Sequence, residues 1–483
     1  MTSPITFGTD GWRAVIGDQF TFDTVRTVAD AIAVAARTLQ PPPDVDPNAL
    51  LVGYDRRFLS REFAGVVAES LRGAGYRVIL SDRPTPSQTI SFNARHRHVL
   101  GGVMVTASHN PAKYNGLKFK AWYGGSALPE TYDAIASSLG KRDSREGGTI
   151  GEENILDDYV DGIRGQLDLR LLKGAKLAIL HDPIHGAGAA LPSKVLGLDY
   201  TGAHRIINRE TDPFETTIVD GIRGEVNPAF GGVNPEPIPE NLNASQNVML
   251  SGDYDLAICN DGDADRLGIL DERGRFVSPH KIISLLALYL VREKKRAGEI
   301  VKTFSTTRLI EKVAAALGAT LHETPIGFKY VADLMLARDV LVGGEESGGI
   351  GFGAFMPERD GVLSGLIVAE SVAYYGLPLS DIIRRMEEEF GALSYDRRDL
   401  HRPMPQNSRL IERVRAGELD SAFGLPFASR EEKDGVKMNF ADGSWILFRK
   451  SGTEPIIRIY CESPDAEQVQ RMLDRAVEEL DAG

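Results

Sequence analysis

Two cysteines in 483 residues, Cys259 and Cys461, are too few for a disulfide framework or a multi-cysteine zinc site. They suit a reducing compartment, and a cytoplasmic location is the expectation. Long hydrophobic runs are missing too. The most apolar stretch, Ile282 to Val291, spans about ten residues and contains Ser284, whereas a membrane span needs about 20, so it reads as a buried helix. The N-terminus places Asp10 and Arg13 where a leader would need an apolar core, so no leader is expected. Positive charge is not in excess. The 55 Lys and Arg against 68 Asp and Glu give a net charge of −13, which argues against a general nucleic-acid binder. A small anionic ligand stays possible, because a few local cations can dominate one cleft. Neither a Rossmann fingerprint nor the Walker spacing occurs, nor any literal internal repeat.

What the chain does have is apolar material for several cores, at 42% hydrophobic residues, and many turn formers, with 50 Gly and 25 Pro. At about 150 residues per domain the length fits three or four domains. Helical spacing of Val25, Val28, Ala29, Ile32 and Ala35 predicts a helix over 22–38, and a second helix is read over 63–72. Short apolar runs at 50–54, 76–80 and 99–106 read as strands between and after them. The same alternation returns at 176–180, 256–259, 267–270, 301–304 and 340–342, with helices at 280–292, 308–317 and 361–374. It implies parallel sheets with crossover helices. The tail differs: strands at 445–448 and 456–460 and a helix over 465–480 suggest a small α+β unit. The expected division is 1–165, 166–270, 271–388 and 389–483, three α/β domains and a smaller α+β C-terminal domain around a central cleft.

Four loops carry the chemistry. In Asp261-Gly262-Asp263-Ala264-Asp265-Arg266, three carboxylates at alternate positions project to one side of an extended segment at a strand's C-terminal end. Their mutual repulsion asks for a shared cation, and oxygen ligands favour Mg²⁺ or Ca²⁺. A solvated acidic turn is the plainer reading. An EF-hand reading would use Asp261, Asp263, Asp265 and Glu272, but Arg266 stands where that loop needs Gly. In Thr106-Ala107-Ser108-His109-Asn110-Pro111, an apolar run delivers Ser108 to a strand end, with Lys113, Lys118 and Lys120 soon after. A serine needs a base or a metal to act as a nucleophile; otherwise this is a polar turn. Arg449-Lys450-Ser451-Gly452-Thr453-Glu454-Pro455, with Arg458 beyond, can aim backbone N–H groups and a guanidinium at an anion, or be an ordinary basic turn. Gly343 to Gly349 places Glu345 and Ser347 on one side, suited to sugar hydroxyls, or forms a flexible turn. The turn from Phe7 to Arg13 adds one cation. His181 and His185 flank Pro183 and read as structural.

Taken in order, TASHNP, DGDADR, GEESGG and RKSGTEP, with the opening FGTDGWRA, resemble the motifs of the α-D-phosphohexomutases, from about Phe7 to about Tyr460. The resemblance implies four domains around a deep cleft and a phosphorylated Ser108. It implies Mg²⁺ held by Asp261, Asp263 and Asp265 with a phosphoserine oxygen from Ser108, and Arg266 beside them. Arg13, His109 and Lys118 would surround the reacting phosphoryl group. Glu345 and Ser347 would hold the sugar; Arg449, Ser451, Gly452 and Thr453, with Arg458 nearby, would hold the other phosphate. Lys118 is the candidate acid or base, with a pKa expected to be lowered by Arg13 and a metal. Some relatives carry His where this chain has Gly349; Lys329 is the candidate for the sugar side and for the second proton-transfer role.

The implied reaction interconverts hexose 1-phosphate and hexose 6-phosphate. O1 and O6 cannot exchange a phosphoryl group directly for want of in-line geometry. A phosphoserine relay through a hexose 1,6-bisphosphate, which also serves as activator, removes the difficulty. Glucose phosphates are favoured because Glu346 resembles the glucose-type members. Mannose and glucosamine phosphates are the alternatives, and a metal-dependent sugar phosphatase or an idle sugar-phosphate-binding module are distant ones. The expected partners are small hexose phosphates, with no nucleic acid and no membrane, in a monomer or homodimer.

Overall fold

The computed structural model describes residues 5–8, 10–211, 213–450 and 455–482. Four sheets follow one another along the chain. The first has seven strands. Asp46–Tyr54 lies parallel to Arg77–Ser81 and Val99–Val105, and Tyr114–Ala121 returns antiparallel to the latter. Phe22–Ala36 and Ser60–Gly73 cover one face of it and Ser87–His96 the other. Helix Phe22–Ala36 forms as its spacing predicts. Thr21 and Thr24 close a capping box, and Val25, Val28, Ala29, Ile32 and Ala35 are all buried. Burial of each Val or Ile there is worth about 1.5–3 kcal/mol.

The second sheet centres on Leu256–Asn260, parallel to Ala178–Asp182 and antiparallel to Leu267–Asp271, and takes in Phe276–Val277. The third pairs Glu299–Thr303 in parallel with Leu321–Thr324 and Val340–Gly344, and Ile350–Gly351 returns antiparallel. Helix Gly361–Tyr375 is capped by the Asp360 side chain and buried from Gly361 to Val372. It packs across to the second unit's strands, so one apolar core spans the second and third units. The helix expected over 280–292 is an α-helix at Pro279–Leu288 that loosens into a π turn at Tyr289–Glu293. The C-terminal sheet is a five-stranded antiparallel layer, Ser394–His401, Ile456–Ser463, Trp445–Lys450, Val436–Phe440 and Phe427–Glu432, covered by Met404–Arg415 and Ala466–Ala482.

One device recurs in the first three units. A buried parallel strand ends, a loop follows, and the chain returns as its antiparallel neighbour. The loops are 106–113, 261–266 and 345–349. These are three of the four chemistry-bearing loops, each at the carboxyl end of a parallel strand, where open α/β sheets place ligands. Strands on both sides of the acidic loop exclude the EF-hand reading, and Glu272 is engaged by Ser380. Among the described residues no single helix is long and apolar enough to cross a membrane.

Candidate active site

The three loops converge. Ser87 N and Gln88 Nε2, from the first unit, donate to the Asp263 and Ala264 carbonyls at 3.1 and 2.8 Å. From the third unit, Gly361 N donates to the Ala264 carbonyl, and Leu267 N donates to the Gly348 carbonyl. A Cβ at Gly262 would lie 2.5 Å from the Ser108 carbonyl oxygen, so the acidic loop presses on the serine loop as only glycine allows. Ser108 and Ala264 both adopt left-handed φ, 53° and 62°, a strain that persists only where the surroundings impose it.

Ser108 is 1% exposed, and its Oγ donates to Asp261 Oδ2 at 2.8 Å. Carboxylate oxygens of Asp261, Asp263 and Asp265 lie within 4.8 Å of one another, all buried. Asp263 Oδ1 and Asp265 Oδ1 are buried with no hydrogen-bond partner. Two orphaned oxygens in a trio of hard donors fit a divalent cation such as Mg²⁺. Burial, Asp265 and Asp263 push the Asp261 pKa well up. For Asp263 burial acts upward, but Lys118 and the Ser87 hydroxyl outweigh it and its pKa falls.

The loop that carries the serine is clamped from beneath. Arg57, fully buried, donates to the carbonyls of Ser108 and Asn110 at 2.6 Å each and of Pro111 and Tyr114 at 2.9 and 3.0 Å. Asp55 faces it at 3.2 Å and accepts the hydroxyl of Thr106, whose Oγ1 in turn accepts Ser108 N. Lysine has no planar fork for four carbonyls. Arg57→Lys is therefore expected to slow any group transfer that uses Ser108 Oγ about a hundredfold, through misplacement of that oxygen. Steady-state kinetics with single-turnover labelling checks this; wild-type rates would remove the clamp from the account.

Lys118 is fully buried, with Nζ at 2.9 Å from Asp10, 3.0 Å from Asp263 and 3.6 Å from Asp265. The expected lowering of its pKa is overturned. Burial acts downward, but Asp10, Asp263 and Asp265 together exceed it and the pKa rises. In the metal-free fold Lys118 is thus held as a cation. His109 behaves in the opposite way. Burial first, then Arg266 and Arg13, push its pKa well down, and its Nδ1 lies 3.4 Å from Ser108 Oγ. Arg13 donates to Asn110 Oδ1 at 2.7 Å, and Arg266 to Glu236 at 2.6 Å.

A cavity of about 540 Å³ adjoins this floor. Asp10, Arg13, His109 and Arg266 line one side; Lys329, Glu345, Ser347 and Arg359 line another, and Arg449 reaches it from the C-terminal sheet. Glu345 is buried and its pKa is raised to about 7, by burial first, with Arg359 opposing. A Cβ at Gly349 would meet Arg359 Cδ at 2.5 Å, so the space above that glycine is taken by the aliphatic stem of Arg359. Glu346 is engaged by Ser305 Oγ at 2.6 Å and Thr303 Oγ1 at 3.4 Å and does not line the cavity. Arg458 stands cross-strand from Arg449 and pairs with Asp399 at 3.4 Å. Ser451, Gly452 and Thr453 lie outside the described residues.

Sequence reasoning missed Arg57, Ser87, Asp10, Glu358 and Arg359. Arg359 Nη2 is 2.7 Å from Asp265, and Glu358 Oε2 takes the buried Lys120 at 2.5 Å. Their one sequence signal is the charged run Glu358-Arg359-Asp360 set directly before an apolar helix.

Family models match all four units: phosphoglucomutase/phosphomannomutase alpha/beta/alpha domains I, II and III at residues 4–146, 157–274 and 278–390, and the C-terminal domain at 403–479. The chain belongs to this family. It is an enzyme of the α-D-phosphohexomutase superfamily. It is 29% identical to a phosphoglucomutase/phosphomannomutase of Thermococcus kodakarensis over 98% of each chain. It is 28% identical to a phosphoglucosamine mutase of Methanocaldococcus jannaschii, over 89% of this chain and 90% of that one. A crystal structure from Thermus thermophilus, presented as a phosphomannomutase, superposes with a TM-score of 0.84 at 34% identity over the whole of both chains.

Proposed function

We propose that this phosphohexomutase interconverts hexose 1-phosphate and hexose 6-phosphate through a phosphoserine at position 108. The observation that carries the reading is the 2.8 Å contact of Ser108 Oγ with Asp261, beside a cavity whose other walls hold Glu345, Ser347 and Arg449. Asp261, Asp263 and Asp265 would hold Mg²⁺, which when bound offsets charge on the phosphoryl group. In the first transfer the free sugar hydroxyl attacks the phosphorus and gives up its proton, and the bond from phosphorus to Ser108 Oγ breaks. Oγ recovers a proton, and the product is the bisphosphate. After the bisphosphate turns over, Ser108 Oγ attacks the other phosphoryl group and gives its proton up, the bond from that phosphorus to the sugar oxygen breaks, and the sugar oxygen takes up a proton to leave as a free hydroxyl. Asp261, which accepts the Oγ proton at 2.8 Å, and His109, whose Nδ1 lies 3.4 Å from Oγ, are the two groups within reach of the Ser108 proton. Arg13, Lys118 and Arg266 supply fixed positive charge around the transfer, and Arg449 holds the non-reacting phosphate.

Glucose phosphates are the first reading and glucosamine phosphates the second, with mannose phosphates a third that the Thermus thermophilus structure's description supports. The second is favoured by the names of relatives such as the Methanocaldococcus jannaschii and Paenarthrobacter aurescens enzymes, 28% and 29% identical. The deciding experiment compares kcat/KM for the 1-phosphates of glucose, mannose and glucosamine with hexose 1,6-bisphosphate present. Glucosamine turnover about tenfold above glucose would replace the first reading by the second. Steady release of inorganic phosphate without isomerisation would replace both with a phosphatase.

Glu345 gives the pocket a measurable pH signature. The folded chain keeps its proton up to about pH 7, whereas the unfolded chain releases it near the ordinary value of 4.5. Between those values the folded state binds more protons, so stability falls as pH rises through the window. Relative to Glu345→Gln, the wild type is expected to lose about 3 kcal/mol from pH 4.5 to pH 7. Denaturant unfolding of both proteins across that range checks it, and parallel stability curves would contradict it.

A further inference from the structure

The C-terminal sheet reaches the cavity through Arg449, and one turn of that sheet lies against the strand that carries it. The antiparallel strands Phe427–Glu432 and Val436–Phe440 are joined by Lys433, Asp434 and Gly435. Gly435 has φ 94°, and a Cβ there would lie 2.4 Å from the Phe448 carbonyl and 3.2 Å from Arg449 Cβ. The turn is thus pressed against the strand that carries Arg449. Asp434 uses both carboxylate oxygens. Oδ1 accepts Arg449 Nε at 2.9 Å, and Oδ2 accepts the backbone N–H of Ile326 at 3.1 Å. Ile326 begins the stretch to Lys329 that lines the third unit's wall of the same cavity.

We propose that Asp434 is a positioning residue that couples the phosphate-binding arginine to the sugar-side wall, so that both are set by one carboxylate. The proposal rests on the reading of Arg449 as a phosphate ligand. An arginine tethered at Nε has its plane fixed and presents its two Nη groups as a fork, the shape that matches a phosphate. The second oxygen makes that plane depend on where the Ile326–Lys329 stretch lies. Asp434 is not what docks the C-terminal sheet. Arg308 does that independently, donating from its backbone to Glu462 and from its guanidinium to Gly443 O and Asn439 Oδ1 at 2.8–2.9 Å. Phe304, Trp445, Leu447 and Tyr460 close an apolar contact between the same two units. Losing the Asp434 link therefore loosens the phosphate grip without releasing the sheet.

The test measures kcat and KM for hexose 1-phosphate, with bisphosphate at saturation, in Asp434→Asn, Arg449→Met, their double variant, and Lys433→Met. Lys433 ties the same turn to Glu323 at 2.9 Å without touching Arg449, and controls for loss of docking. The expected result is a KM raised about tenfold or more in Asp434→Asn with kcat within about threefold. Lys433→Met should keep its KM, and Asp434→Asn should add nothing further in the Arg449→Met background. If Arg449→Met raises KM and Asp434→Asn does not, the coupling is wrong and the phosphate reading stands. If Arg449→Met leaves KM unchanged, the phosphate reading falls and the proposal falls with it. Equal effects of Asp434→Asn and Lys433→Met would reduce Asp434 to a docking contact and overturn the proposal.

Discussion

Ser108→Ala is expected to reduce mutase turnover by about 10⁴-fold or more while leaving the fold intact, because the variant lacks the oxygen that takes the phosphoryl group. The removed oxygen donates one hydrogen bond, to Asp261, and alanine fits the space it leaves. The left-handed φ of 53° costs alanine no more than it costs serine. The Arg57 clamp on the loop's carbonyls does not involve the side chain at all. Thermal unfolding should therefore shift by only a few degrees, since about 1 kcal/mol corresponds to a shift of that order. Intact-protein mass spectrometry after exposure to hexose 1,6-bisphosphate should show one added phosphoryl group on the wild type and none on the variant. A variant that retained turnover would remove the phosphoserine from the mechanism, and a phosphorylated variant would place the acceptor elsewhere.

The parts of this site that sequence made legible share a physical cause. A strand buried on both faces must be apolar throughout, so Val103-Met104-Val105, Leu256-Ala257-Ile258 and Val340-Leu341-Val342 announce themselves, and so do the polar loops that end them. The strand that returns is harder to read. Tyr114–Ala121 carries Lys118 and Lys120 at alternate positions, the pattern of a solvated face, yet both are fully buried. Their compensation comes from other loops: Asp263 and Asp265 for Lys118, Glu358 for Lys120, and Asp10 for both. Charges separated by more than a hundred residues leave no periodicity in the chain. Arg57 was hidden for a different reason: apart from Asp55 its partners are backbone carbonyls, which no composition reveals. Separation along the chain also explains the wrong direction for Lys118: the cationic neighbour Arg13 was legible, whereas the three carboxylates around Nζ exist only in the fold.

The fixed charge of Lys118 leads to the second large effect. Lys118→Met keeps the length of the side chain and removes the cation that faces Asp10, Asp263 and Asp265. Stripping one partner from a buried ionic cluster costs about 3–5 kcal/mol, because the remaining charges are left uncompensated. Turnover is expected to fall about 10³-fold or more as the transferring phosphoryl group loses a cation in a site shielded from water. A merely structural lysine would predict the stability loss alone, so Mg²⁺ supplies the separating measurement. A cation bound by the folded state stabilises it in proportion to the logarithm of its concentration over its Kd. With Lys118 gone, the trio carries one more unit of net negative charge and should hold Mg²⁺ more tightly. Titrating Mg²⁺ into metal-free protein is thus expected to raise Tm in the wild type and to raise it further in Lys118→Met, recovering part of the lost stability but not the lost turnover. Asp263→Asn, which weakens the trio itself, should show the smallest Mg²⁺ response of the three. A Tm indifferent to Mg²⁺ in all of them would separate the carboxylate trio from any metal, and equal recovery of activity and stability would make Lys118 a structural counter-ion only.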